Sequence, residues 1–145
     1  MNDEKLAIVG VFLALTGCAE VENYNDVVKT PAPAGLEGYW QSKGPQRSLV
    51  SPEAIASPVI TKEGDTLDCR QWQRVIALPG KLTMLSGDLT NVTVKRELYE
   101  IEREGNTLEY DGMTLQRVDR PTQECADALK KTPLATPAAI NRTPR

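Results

Sequence analysis

The sequence predicts a mainly β domain, a small antiparallel meander or partly closed barrel with one short C-terminal helix. Two observations carry this. Between Val59 and Val118, short runs with apolar residues at spacing two are divided by turn signals at Glu63-Gly64-Asp65, Gly87-Asp88, Gly105-Asn106 and Asp111-Gly112. After Pro121 the pattern changes to helical spacing, with Cys125 and Leu129 four residues apart.

Taken in order, the chain opens with an apolar stretch from Leu6 to Leu15, followed by Thr16, Gly17 and Cys18. About ten apolar residues are too few for a spanning helix, which needs roughly 20. They suit the apolar core of an export signal. The two residues and cysteine that follow are the pattern of a bacterial lipoprotein signal. Residues 1–17 are therefore expected to be the signal peptide, and Cys18 the lipidated first residue of the mature chain. Asp3 and Glu4 against a lone Lys5 depart from the basic start such signals normally have.

Residues 18–35 read as the lipidated cysteine and a flexible tether, punctuated by Asn23, Asn25, Pro31, Pro33 and Gly35. A coil of that length reaches at most about 60 Å. Residues 36–131 form the expected β-rich domain. Its first strand starts near Gly38-Tyr39-Trp40. Val59 to Trp72 reads as a hairpin about Gly64, with Cys69 on one face of the second strand and Arg70 and Trp72 on the other. Val75–Leu78 and Leu82–Leu85 read as two strands joined by a Pro79-Gly80 turn. Val92 to Arg103 fits strand better than helix. Residues 122–131 read as the helix, with Glu124 early and Lys130 and Lys131 late, as the helix dipole favours. Residues 132–145 lack an apolar period and read as a disordered tail.

Removing residues 1–17 takes away Lys5, Asp3 and Glu4 and leaves 16 basic against 18 acidic residues, a net charge of −2. There is no basic excess to favour nucleic acid. With Cys18 assigned to lipid, Cys69 and Cys125 are an even remainder, and in an oxidising compartment they read as one disulfide. Closing so long a loop is worth about 4 kcal/mol on chain entropy.

The sequence contains no histidine, which removes the commonest general base and metal ligand. There is no nucleophile elbow and no phosphate loop. The carboxylate pairs Glu100 and Glu102, and Glu109 and Asp111, alternate with Tyr99, Ile101, Arg103 and Tyr110 in the manner of a solvated strand face. No enzyme activity, cofactor or metal is expected. Two features suit binding instead. Arg70, Trp72 and Arg74 alternate on one strand face, a mix enriched at interfaces, and are the candidate partner-binding residues. Gly38 and Trp40 are similar to the Gly-x-Trp that opens the first strand of lipocalins, where a late arginine packs over the tryptophan. Arg117 and Arg120 are the candidates for that part.

Residues 16–25, 36–46 and 63–74 resemble the enterobacterial YedD lipoproteins, and the resemblance runs from Leu6 to about Leu134. It implies an outer-membrane lipoprotein facing the periplasm, with no catalytic residues to carry over. The absence of Asp after Cys18, where Ala19 and Glu20 stand, agrees with outer-membrane sorting. The expected function is a non-catalytic periplasmic binding lipoprotein, in its most concrete form a modulator of a peptidoglycan-processing enzyme. Its expected partners are the outer membrane, through the lipid anchor, and a cell-wall enzyme. The alternatives are a lipocalin-like carrier of a small apolar ligand and a structural lipoprotein with no specific partner.

Overall fold

The computed structural model describes residues 20–134. The lipidation candidate Cys18, the signal peptide and residues 135–145 lie outside them. Among the described residues there are nine strands and one α-helix: β1 (Gly38–Ser42), β2 (Ile55–Ala56), β3 (Val59–Ile60), β4 (Asp65–Trp72), β5 (Arg74–Leu85), β6 (Asp88–Thr93), β7 (Leu98–Glu104), β8 (Thr107–Tyr110), β9 (Met113–Val118) and α1 (Gln123–Lys131). All pairings are antiparallel. The order β4-β3-β1-β9-β8-β7-β6-β5 closes on itself through β4 and β5, giving an eight-stranded barrel, and β2 pairs with β4 as the extra strand beside β3. Closure leaves no open edge in the ring.

The strand pleat sorts the residues. Ile60, Leu82, Ile101, Leu108, Met113 and Leu115 point inward with Trp40 and Tyr110 to form the barrel core. On the opposite face of the same strands, Val59, Leu67 and Cys69 pack outward against Cys125 and Leu129 of α1 and against Leu134. Thr122 caps α1 by accepting a hydrogen bond from the Cys125 N–H at 3.2 Å. Cys69 and Cys125 form a disulfide with Cα atoms 6.0 Å apart, which joins the helix to the barrel wall.

Three expectations need correction. Pro79-Gly80 is not a turn. It lies within the unbroken twelve-residue strand β5. The Pro79 carbonyl accepts from the Val94 N–H at 2.9 Å, just past the end of β6, so the missing proline donor falls where that ladder stops. Gly80 is there for space: a Cβ would stand 2.6 Å from Thr66 Oγ1 and 2.7 Å from Asn91 Oδ1.

Residues 24–35 are not a free tether. The Thr30 N–H donates to the Leu82 carbonyl at 2.8 Å and the Ala32 N–H to the Lys62 carbonyl at 3.0 Å. The Lys29 ammonium pairs with Asp65 at 3.1 Å. This strap crosses the barrel end where the Lys62 and Ser86 turns lie, and Ala32 packs on the core. Scattered prolines hide it from a periodicity reading, because its bonds are to distant backbone. The folded domain also runs past residue 131, since Leu134 is buried in the cluster beneath α1. The stretch Val92 to Arg103 is two strands, β6 and β7, separated by a turn at residues 94–97.

Candidate functional site

The barrel has two differently built ends. At the strapped end, Trp40 of β1 is fully buried and its indole N–H donates to the Leu36 carbonyl at 3.0 Å. The Arg117 guanidinium of β9 lies 4.4 Å from the centre of the Trp40 ring. It also donates to the Glu37 carbonyl at 2.9 Å and to the Gly35 carbonyl. Gly38 has φ +136°, and a Cβ there would stand 2.6 Å from Arg117 Nη1. Gly38, Trp40 and Arg117 thus occupy the arrangement of the lipocalin strand-one signature. Arg120, the other candidate, is exposed.

Through the interior runs a chain of buried polar groups that periodicity alone does not reveal. Thr66 Oγ1 donates to Asn91 Oδ1 at 2.6 Å, and Asn91 Nδ2 donates to the Tyr110 hydroxyl oxygen at 2.9 Å. The Tyr110 hydroxyl donates to Asp68 Oδ2 at 2.6 Å. Arg70 closes on the same carboxylate through Nε at 2.9 Å and Nη2 at 3.0 Å, and its Nη2 also reaches Asp111 Oδ2 at 2.9 Å. Burial pushes the Tyr110 hydroxyl well above its usual range, and the Asp68 carboxylate adds to the shift. Burial also raises Tyr99, which stacks edge-on against Tyr110 at 5.2 Å, to about 12, with the Asp111 charge adding to the rise. Burial alone would lower the pKa of Arg70, but Asp68 and Asp111 outweigh it, so the guanidinium stays charged. A buried charge needs such pairing. One signal in the sequence could have found the pair: Asp68 and Arg70 are two apart on the strand face that lacks the cysteine.

This packing leaves little room. The void beside Ile60, Thr66, Asn91 and Tyr110 is about 10 Å³, at the threshold for one water. A carrier of the usual kind needs several hundred Å³ inside. The interior of this barrel is filled by its own side chains.

The open space lies at the other end. The β4–β5 hairpin turns at Gln73, in a left-handed conformation with φ 64°, and projects beyond the ring. On its inner face it carries Arg70, Trp72, Arg74 and Ile76, opposite Leu49 and Val50 of the β1–β2 loop. Together they border a cleft of about 580 Å³. The three candidate partner-binding residues therefore meet at one place. Their settings differ: Arg70 is held by two carboxylates, whereas Arg74 is exposed and Trp72 shows 38% of its surface. With Val50 at 80% and Ile76 at 44%, the cleft is an exposed apolar surface with a cationic rim. The sequence reading missed the contribution of Leu49 and Val50, since the β1–β2 loop lacks any strand period.

Glu100 and Glu102 stand on the solvent side of β7, and Glu109 accepts from the Thr114 hydroxyl at 2.9 Å. Asp111 serves the Arg70 pair. Among the described residues, no group of three or more His, Cys, Asp or Glu is placed to hold a metal ion.

Comparison with known proteins bears on this geometry. Residues 21–129 match the model of a family described as "Bacterial lipocalin LPS transport optimiser YedD". The chain belongs to the YedD family. A YedD lipoprotein of Salmonella typhimurium is 88% identical over 133 residues, covering 92% of this chain and 94% of that one. A YedD lipoprotein of Escherichia coli is 78% identical over 134 residues, covering 92% and 98%. The crystal structure of lipoprotein YedD from Klebsiella pneumoniae matches with a TM-score of 0.73 at 61% identity, covering 76% of this chain and 94% of that one. The YedD description as a lipocalin agrees with the closed barrel and with the Trp40–Arg117 arrangement. Nothing in these YedD relatives points to a peptidoglycan-processing enzyme.

Proposed function

We propose that this chain is a non-catalytic lipoprotein, anchored through Cys18 in the outer membrane and facing the periplasm, that assists LPS transport through the cleft at its barrel mouth. The observation that supports this reading is the cleft itself, lined by Trp72, Ile76, Leu49 and Val50 and rimmed by Arg74. LPS is an amphiphile with acyl chains and anionic groups. An apolar surface with a cationic rim complements that chemistry, either on LPS or on a protein that handles it. The family description supplies LPS transport as the process.

The filled interior favours action at the mouth over carriage inside the barrel. A lipocalin-like protein with this core binds at its opening. No observation favours the modulation of a cell-wall enzyme, and that form is set aside.

The test is the rate at which pulse-labelled LPS reaches the cell surface in a strain lacking the gene, with and without the restored chain. Slower arrival that the restored chain corrects supports the proposal. Arrival at an unchanged rate would overturn it.

A further inference from the structure

The strap continues outward from the barrel end and brings the chain towards its anchor on a short leash. The Lys81 ammonium donates to the Tyr24 and Val27 carbonyls at 3.1 and 3.3 Å, and it lies 4.4 Å from the Tyr24 ring centre. Thr83 Oγ1 donates to the Val28 carbonyl at 2.8 Å, and Arg96 Nη1 holds the Glu22 carbonyl at 3.0 Å. Cys18 is four residues before Glu22, a reach of about 14 Å at most. Beside this stretch lies a second apolar cleft of about 400 Å³, lined by Val21, Val27, Val28, Met84 and Leu85. Val28 is 77% exposed and Met84 52% exposed.

We infer that the β5–β6 hairpin end, together with the strap, is a membrane-contacting surface that seats Val28 and Met84 against the bilayer. The inference rests on lipidation at Cys18. A lipid anchor within about 14 Å of Glu22 keeps this end of the barrel at the membrane surface and leaves it no room to tumble freely. Exposed aliphatic side chains beside the anchor then gain by entering the headgroup and acyl boundary. Glu22 and Asp26 also border the cleft, so the contact is shallow and suits a zwitterionic lipid surface better than a strongly anionic one. One consequence concerns the mouth. Met84 and Arg74 are ten residues apart on β5, roughly 33 Å. The Trp72–Arg74 cleft therefore opens away from the membrane that holds the anchor.

Full-length lipidated protein reconstituted in phosphatidylcholine vesicles carrying a headgroup quencher tests this. Single fluorophores go on Met84→Cys and Asp26→Cys at the proposed contact, and on Arg74→Cys and Arg47→Cys at the mouth end. The expected result is quenching at least threefold stronger at residues 26 and 84, and two near positions keep the test readable if one variant folds poorly. Equal quenching at all four positions, or the reverse order, in protein that floats with the vesicles overturns the orientation while leaving the anchor intact. Protein that fails to float removes the anchor reading, and the inference falls with it.

Discussion

At the scale of single residues, the barrel is held by a buried chain whose members each complete another's hydrogen bonding. Tyr110 is central, since its hydroxyl accepts from Asn91 and donates to Asp68. Tyr110→Phe leaves both partners short, at a cost of about 1–3 kcal/mol in denaturant unfolding. Arg70→Met removes the cation from a carboxylate only 5% exposed and is expected to cost about 3 kcal/mol, near the low end for a buried pair because Arg70 is itself partly solvated. The tyrosines also set an alkaline limit. Their folded pKa values are raised above the usual value near 10, to about 12 for Tyr99, and well above it for Tyr110 through burial and the Asp68 carboxylate. Their contribution is fully present below pH 10. It is lost as pH rises through the folded values, because the unfolded chain releases those protons first. Unfolding free energy measured from pH 9 to 12 is expected to fall, and to fall less steeply in Tyr110→Phe.

At the scale of elements, α1 and the strap are what the barrel needs beyond its own ladder. The helix covers Leu67 and Cys69 on the outer face of β4, where a charged, solvated strand would otherwise be required. Cys69→Ser with Cys125→Ser is expected to lower stability by about 2–5 kcal/mol. The barrel ladder does not pass through the disulfide, so amide exchange is expected to rise first in residues 123–131 and only later in β1 and β9. Simultaneous loss of protection in all three would contradict this. Legibility in the sequence follows the range of the interactions. The hairpin about Gly64, the turn at Asp111-Gly112 and α1 are set by local residues, and the pattern displays them; it also marks the turn at Gly87, one residue late, since Ser86 and Gly87 make it and Asp88 opens β6. The strap and the continuity of β5 through Pro79 depend on partners tens of residues away. No local period records such partners. The same limit applies to the site. Arg70, Trp72 and Arg74 are visible as one strand face, but Leu49 and Val50 join them only through the fold.

At the scale of the whole molecule, the description as a lipocalin and the filled interior fit together if the barrel is a rigid scaffold and not a container. Trp40 and Arg117 lock one end, the Asp68–Arg70 chain fills the middle, and the apolar cleft occupies the mouth. In the orientation inferred above, that mouth faces away from the anchoring membrane. The central claim is that function resides at the mouth. It is tested most directly by measuring arrival of pulse-labelled LPS at the surface of cells that lack the native gene and carry one of two variants at equal abundance. Trp72→Ala with Arg74→Glu alters the mouth directly, and Tyr110→Phe alters the interior while leaving Trp72 and Arg74 in place. The account predicts that the mouth variant fails to restore the rate of arrival while the interior variant restores it. Full restoration by the mouth variant, with failure of the interior variant, would contradict it.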